Sequence, residues 1–182
     1  MIRYIENSNE VFISGTINKK NVGDAITIIH YINAKAEENS TKLEAPKQKP
    51  IKLYINSYGG SVYDAWSLIS TILESKVPVH TICTGYAMSA AFVIFLAGDK
   101  RSISKNAILM FHQISSGNWG KYKDLMEDIE HLAYLQKQME DFVVSRTKIS
   151  RSTLKKVRES KHDWFITPEE AIKLGVADEI SA

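Results

Sequence analysis

Short strand-like runs alternate with longer helix-like segments along this chain, and this alternation is the feature that most constrains its fold. Four runs rich in β-branched and other apolar residues lie at residues 11–17, 51–55, 77–84 and 108–114. Segments with helical apolar spacing lie between them, at residues 21–38, 64–73 and 90–97. Strands that alternate with helices are typical of an α/β domain with parallel strand pairing.

The helical segments differ in character. Residues 90–97 are apolar on every side, which predicts a buried helix. The longest predicted helix covers residues 121–146; Gln136 interrupts its apolar stripe, and Leu135 and Phe142 lie outside the stripe. The stripe consists of Leu125, Ile129, Leu132, Met139 and Val143. We expect a helix with this much apolar surface to pack on more than its own domain.

A last helix has clear signals at both ends. Thr167 suits the N-cap, Pro168 the first helical position, and Glu170 the position three residues after the cap. Gly175 is a typical stop. A polar segment at residues 39–50 is the one long loop that the pattern predicts.

Composition restricts the class of protein. The 182 residues suit one domain, spanning 1–182, and 44% hydrophobic with 24% charged residues is usual for a globular protein. Because 23 basic and 21 acidic residues leave a net charge of +2, nothing favours nucleic acid or an anionic membrane as partner. Cys83 is the only cysteine, which excludes an intrachain disulfide and a thiolate-built metal site. With no signal peptide and no apolar run of about 18 residues, we expect a cytoplasmic protein.

Two loops of small residues each follow a predicted strand. Residues 56–61 (NSYGGS) contain adjacent glycines, which suit either a tight turn or the close approach of backbone N–H groups to a ligand. Residues 85–91 (GYAMSAA) lead into the apolar helix. There Ser89 either caps the helix or presents an accessible hydroxyl near the positive end of the helix dipole. Its neighbours Met88 and Ala90 differ from the G-x-S-x-G pattern of α/β-hydrolases.

A serine nucleophile needs a base, and the chain has five histidines. His30 and His131 lie in predicted helices, His80 lies in a strand, and His162 lies in a charged run. His112 is different because it follows the apolar residues ILMF where a strand meets a polar loop. It is therefore the candidate base, with a hydrogen-bonded core histidine as the alternative.

An orienting carboxylate has to lie near such a base. Asp163 precedes the apolar residues 164–166, which suits a partly buried carboxylate, although a solvated turn residue is the alternative. Asp99 and Asp124 are less suitable because each has a lysine next to it.

At these residues the sequence resembles the Clp protease proteolytic subunit (ClpP) family, from about Val11 to Ile180. The motifs that carry the resemblance, in family order, are LYINSYGGSV, TICTGYAMSAA, ILMFHQ and DWFITPEEAIKLGVAD. Four motifs in order at near-family spacing are highly specific. The resemblance implies an α/β, ClpP/crotonase-like fold of repeated ββα units with a protruding handle helix, which residues 121–146 would form.

The resemblance also implies a function. The chain would be a serine endopeptidase without metal or cofactor, cleaving peptides and unfolded proteins inside a ring-shaped chamber. Ser89 would be the nucleophile, His112 the general base and Asp163 its orienting acid, while the backbone N–H groups of Gly60 and Ala90 would form the oxyanion hole. The chain would assemble into a homo-oligomer of seven-membered rings, two of which would stack through the handle.

The sequence departs from the family pattern at four places. Tyr58 stands where most members have proline, and Ala90-Ala91 stand where Met-Gly is usual, as in the related head-maturation proteases of tailed phages. His162 replaces the arginine that forms a ring-to-ring ion pair. Only about ten residues precede the VFISGTI run, whereas the family has a longer segment that contacts an AAA+ ATPase. We therefore leave a Clp ATPase partner open.

Three other functions stay open. A phage-type head-maturation protease would cut scaffold or capsid proteins without an ATPase. A non-catalytic ring subunit would not need Ser89, His112 and Asp163 to be intact together. An acyl-CoA crotonase would share the fold and the oxyanion hole but would not need the triad.

Overall fold

The computed structural model describes residues 1–40, 48–117 and 119–181. The strands are β1 (Ile2–Ile5), β2 (Glu10–Ser14), β3 (Ile51–Ser57), β4 (Val79–Met88), β5 (Lys100–Ser104), β6 (Ile108–Phe111), β7 (Trp164–Ile166) and β8 (Glu179–Ser181). The helices are α1 (Lys19–Ser40), α2 (Val62–Leu73), α3 (Ala90–Leu96), α4 (Tyr122–Arg146), α5 (Arg151–Ser160) and α6 (Pro168–Lys173). The predicted helices are confirmed to within two residues at their starts, and residues 41–47 of the predicted loop lie outside the described residues.

The strands form one mixed sheet in the order β1-β2-β3-β4-β5-β8, and β6 joins it between β4 and β7. Pairing is parallel from β2 through β8 along this order, and β1–β2 and β6–β7 are antiparallel. Strand β4 pairs with β5 along residues 80–83 and then with β6 along residues 86–88. The strand predicted at 77–84 therefore continues to Met88. The predicted α/β class with parallel pairing is confirmed.

Two other predicted strands are shorter than the sequence suggested. The run at 11–17 stops at Ser14, because Gly15 turns the chain with a φ of +91°. The run at 108–114 stops at Phe111, because the polar residues beyond it have no strand partner in the part of the chain that the structure describes. This early end leaves His112 just outside the sheet.

Helix α3 is buried on every side, as predicted for residues 90–97. It packs against α2, α4 and strands β3, β4 and β6. Phe92 of α3 meets Phe111 of β6 edge to face, with ring centroids 5.8 Å apart. Burying one such side chain contributes roughly 1.5–3 kcal/mol of stability. The helix that follows Ser89 is thus held against the strand that leads to His112.

Within one chain, helix α4 is buried only in its second half. Met139 and Val143 are buried, but Ile129 is 59% exposed and Leu125 and Leu132 are half-buried. The buried residues of α4 are Leu135, Gln136, Met139, Glu140 and Val143. Leu135, which the apolar spacing placed outside the stripe, is buried, because only the second half of α4 packs on the core. No helix in the described ranges is both long and apolar enough to cross a membrane.

Candidate active site

Ser89 lies between β4 and α3, where the strand ends and the buried helix begins. Its φ of +54° and ψ of −124° are unusual for a residue with a side chain, a conformation that costs roughly 1–3 kcal/mol. The Ser89 N–H donates to the Met110 carbonyl at 2.9 Å, and the Ser89 carbonyl accepts from the Phe92 N–H at 3.0 Å. The hydroxyl does not cap the helix. It points instead to His112.

The His112 ring contacts the Ser89 hydroxyl, with Nε2 2.8 Å from Oγ. Strands β4 and β6 pair in parallel, with Met88 opposite Met110, so the residues just after both strands lie at the same edge of the sheet. A hydrogen bond of this length is the geometry that a base needs in order to take the hydroxyl proton.

Asp163 reaches the other side of the same ring. Its Oδ1 lies 3.7 Å from His112 Nδ1, which is an ion-pair contact when the ring is protonated but too long for a hydrogen bond. The antiparallel pairing of β6 and β7 places Trp164 opposite Phe111, so the residue before β7 comes beside the residue after β6. The structure therefore brings all three predicted triad residues together.

Of the two alternatives for Asp163, the structure favours the solvated turn residue, because its side chain is 52% exposed. The apolar residues that follow it suggested burial, but the turn before β7 lies at the surface. Lys161 ends α5 in a left-handed conformation, with φ +55°, and directs residues 162 and 163 outward.

The glycine loop after β3 packs closely against Ser89. Gly59 has a φ of +103°, and a Cβ placed on it would lie 2.8 Å from both the Met88 carbonyl oxygen and Ser89 Cβ. A Cβ on Gly60 would lie 2.2 Å from the Ile17 carbonyl oxygen. Hydrogen bonds on either side of Gly60 hold it, because the Ile17 N–H donates to Gly59 and the Ser61 N–H donates to Ile17, each at 2.8 Å.

The N–H groups of Gly60 and Ala90 are the predicted oxyanion donors. Within the described residues neither donates a hydrogen bond to the protein. Ala90 directly follows Ser89, and the Cβ position of Gly59 lies 3.1 Å from the Ala90 nitrogen. Two backbone donors without an acceptor among the described residues therefore lie in the two loops that meet at Ser89, where an oxyanion site would need them.

A cleft of about 330 Å³ continues from this loop. It lies between the start of α2, residues 114–116 and α4. Its lining is mixed: Val62, Leu132 and Leu135 are apolar, while Ser115, Ser116 and Asp128 are polar. Across its rim, the Tyr63 hydroxyl and His131 Nε2 are 2.7 Å apart. A side chain of a bound peptide would fit here next to the Gly60 amide.

The remaining histidines lie away from Ser89. His30 is exposed on α1, and His162 is exposed in the turn before Asp163. His80 is half-buried in β4, at a position opposite Lys52 of β3. No group of three or more His, Cys, Asp or Glu side chains in the described ranges is arranged to hold a metal ion.

Two features of the site were not predicted. The Met110 carbonyl fixes the Ser89 backbone, a contact that depends on strand register. Gln136 of α4 accepts a hydrogen bond from the Ile114 N–H at 2.8 Å, just beyond His112. The polar interruption that Gln136 makes in the apolar stripe was the signal that could have revealed it.

Comparisons with known proteins identify the family. The Clp protease family model matches residues 1–182. The ATP-dependent Clp protease proteolytic subunit of Deinococcus radiodurans is 36% identical over 137 residues, which are 74% of this chain and 66% of that protein. Subunit 2 of Parasynechococcus marenigrum is 31% identical over 161 residues, 87% of this chain and 80% of that protein. Subunit 1 of Prochlorococcus marinus subsp. pastoris is 32% identical over 133 residues, 72% of this chain and 67% of that protein.

These matches confirm the family and the fold that the four motifs predicted. They also confirm the predicted class of enzyme, because the relatives are named as proteolytic subunits. The chain belongs to the Clp protease family and is a serine endopeptidase of the ClpP type.

Proposed function

We propose that Ser89, His112 and Asp163 form the catalytic triad of this peptidase, with Gly60 and Ala90 as oxyanion donors. The observation that carries the proposal is the 2.8 Å contact between Ser89 Oγ and His112 Nε2, beside two backbone N–H groups that have no acceptor in the described part of the chain. Asp163 completes the set through His112 Nδ1.

The reaction follows from these positions. His112 Nε2 takes the proton of Ser89 as Oγ bonds to the peptide carbonyl carbon, and the carbonyl oxygen gains the negative charge. The N–H groups of Gly60 and Ala90 stabilise that oxygen by about 3 kcal/mol per donor. His112 then gives the proton to the departing amine. Water hydrolyses the resulting ester in the same way, and Ser89 is regenerated.

Substrates of this site are extended peptide segments, as in unfolded proteins. The cleft beside Gly60 accepts one side chain, and its mixed polar and apolar lining suits a side chain that has both an apolar part and a polar group. Tyr58 replaces the proline of most family members and stacks on Tyr86, with ring centroids 4.2 Å apart. Since Tyr58 is largely exposed, this pair adds an aromatic surface beside the nucleophile loop.

The working form is a ring of copies of this one-domain chain, seven to a ring, with two rings stacked through α4. The exposed apolar side chains at the start of that helix support this assembly; they are Trp119, Tyr122, Met126 and Ile129. The relatives are named ATP-dependent, so an AAA+ Clp ATPase is the partner to test. A single reduced cysteine suits the cytoplasm as the compartment.

Labelling with a fluorophosphonate probe tests the nucleophile. We expect the wild type to take up one probe per chain and Ser89→Ala to take up none. Ser116→Ala is the matched control, because Ser116 lines the cleft but is not the proposed nucleophile. This variant should take up the probe like the wild type. Absence of label on the assembled wild type, or label retained in Ser89→Ala, would contradict the assignment.

A degradation assay separates the ATP-dependent form from the phage-type alternative, which Ala90-Ala91 favours. An unfolded casein chain is offered with and without a Clp ATPase and ATP. Cleavage that rises at least tenfold with the ATPase supports the ClpP assignment. Equal cleavage in both arms supports a self-sufficient maturation protease.

A further inference from the structure

Three polar side chains are hydrogen-bonded in series across the second half of α4. Gln136 Oε1 accepts from the Ile114 N–H at 2.8 Å, and Gln136 Nε2 donates to Glu140 Oε1 at 2.8 Å. Arg158 of α5 donates to the same carboxylate oxygen at 2.6 Å. Gln136 and Glu140 are each only 9% exposed. Burying such groups is unfavourable unless they are hydrogen-bonded, so these contacts hold one another in place.

Each end of this hydrogen-bonded series lies in a segment that leads to or from a triad residue. Ile114 is two residues after His112, beyond the end of β6, where the sheet supplies no acceptor for its N–H. Arg158 lies in the last turn of α5, and its carbonyl accepts from the Lys161 N–H that ends the helix before Asp163. The segment with the base and the segment with the acid are thus tied to the same two residues of α4.

The contact that these segments share needs such support. His112 Nδ1 and Asp163 Oδ1 are 3.7 Å apart, too far for a hydrogen bond, and the Asp163 side chain is about half-exposed, so packing does little to fix their alignment. An error of about 1 Å in a catalytic group lowers the rate of a reaction by about a hundredfold. Whatever sets the separation of the two segments therefore influences catalysis.

We propose that Gln136, Glu140 and Arg158 are positioning residues that align His112 with Asp163. The proposal rests on the triad proposed above. Gln136 fixes the backbone that follows the base, Glu140 joins Gln136 to Arg158, and Arg158 fixes the end of α5 from which Asp163 projects. None of the three touches the substrate carbonyl, and their effect reaches the reaction only through the His112–Asp163 contact.

A double-mutant cycle between Gln136 and Asp163 tests this alignment. We expect Gln136→Leu to lower kcat for a short peptide by about 10- to 100-fold and Asp163→Asn to lower it by up to about 10⁴-fold, each with KM changed less than threefold. The double variant should lose no more than about threefold beyond Asp163→Asn, because the alignment has no further effect once the acid is gone. Losses that multiply in the double variant, or an unchanged kcat in Gln136→Leu, would overturn the proposal.

A second pair of variants covers the case in which Gln136→Leu does not fold. Arg158→Met acts at the half-exposed end of the hydrogen-bonded series and should lower kcat about three- to tenfold at unchanged assembly mass. Arg151→Met is its control, since Arg151 pairs α5 with Asp141 of α4 at the surface without touching Gln136 or Glu140, and it should stay within twofold of wild type. Equal kcat values for the two variants would overturn the proposal. A wild type that takes no probe would instead overturn the proposed triad.

Discussion

Both space and backbone conformation require glycine at position 60, where φ is +149°. A side chain there would place Cβ 2.2 Å from the Ile17 carbonyl, so the loop that presents the oxyanion donor would have to move. We predict that Gly60→Ala lowers the rate of probe labelling at least 100-fold, as loss of one donor does. Gly23→Ala is the matched control, because no atom lies within 4 Å of the added Cβ in α1.

The Gly23→Ala control should be more stable than the wild type. An exposed helix interior favours alanine over glycine by about 0.8–1.0 kcal/mol, so Gly23→Ala should raise the melting temperature and keep the wild-type labelling rate. Equal labelling by both glycine variants would mean that the backbone of residues 59–60 has no part in acylation.

Cys83 is a buried thiol rather than a second nucleophile. Burial raises its pKa to about 12, and a bond from the Gly85 backbone offsets this only in part. At pH 8 almost all of it is therefore protonated, and only the thiolate reacts. We predict no reaction of the native protein with Ellman's reagent and one equivalent in 6 M guanidinium chloride. Rapid stoichiometric reaction of the native protein would show that the strand around Cys83 opens.

At the scale of elements, one arginine caps the C-terminal end of α3, the helix that follows Ser89. Arg146 Nε donates to the Leu96 carbonyl at 2.9 Å, and its Nη2 donates to the Gly98 carbonyl at 2.6 Å. The last carbonyls of a helix have no partner within it, so Arg146 supplies the missing donors of α3. We predict that Arg146→Met lowers the free energy of unfolding by roughly 2 kcal/mol or more, measured by urea denaturation.

Arg151→Met provides the comparison for that measurement, since its exposed ion pair contributes at most about 1 kcal/mol. If both variants lose the same free energy of unfolding, the contacts of Arg146 with α3 are not stabilising.

The stability that Asp178, in the segment between α6 and β8, contributes through Arg101 depends on pH. Burial raises the pKa of Asp178, but hydrogen bonds from the Arg101 side chain and backbone outweigh it, and the net pKa lies below the usual value. A lowered carboxyl pKa stabilises the fold at neutral pH, and this stabilisation is lost as pH falls through the folded-state pKa. Asp178→Asn should therefore lower the melting temperature at pH 7 and much less at pH 3. An equal loss at both pH values would rule out the charge as its cause.

Helices were predictable where one face is buried along the whole element, as in α2, where Ala65, Leu68, Ile69 and Ile72 are all buried. The capping box of Thr167 and Glu170 is likewise a local signal and is present. Strands β1, β5, β7 and β8 were not predicted; β7 and β8 have only three residues each, which carry too little alternation. Helix α5 was not predicted because it has one buried residue, Leu154.

The residues of the site likewise differ in how far local sequence could predict them. Ser89 was predictable because it lies in a loop of small residues that leads into an apolar helix, and His112 because it follows an apolar segment where a strand meets a polar loop. The position of Asp163 depends on the pairing of β6 with β7, strands that are more than 50 residues apart in sequence. The exposure of its side chain depends on the turn after α5, which no apolar pattern marks.

At the scale of the whole molecule, a single chain leaves apolar side chains of α4 and the side chain of Asp163 exposed to solvent. The first half of α4 exposes Tyr122, Met126 and Ile129, while Asp163 is exposed as well. A monomer would keep this surface in water at a cost of about 25 cal/mol per Å². Copies that cover α4 would remove that cost, so assembly and activity should be coupled.

We therefore predict that Ile129→Asp shifts the protein to a smaller mass, because a buried unpaired carboxylate opposes contact between copies. Light scattering after size-exclusion chromatography measures the mass, and probe labelling of the same fractions measures the acylation rate. Glu130→Gln, one residue along the exposed part of α4, is the control and should keep the wild-type mass. A wild type that is monomeric at micromolar concentration and labels at full rate would show that one chain, with Asp163 exposed, already forms a complete site.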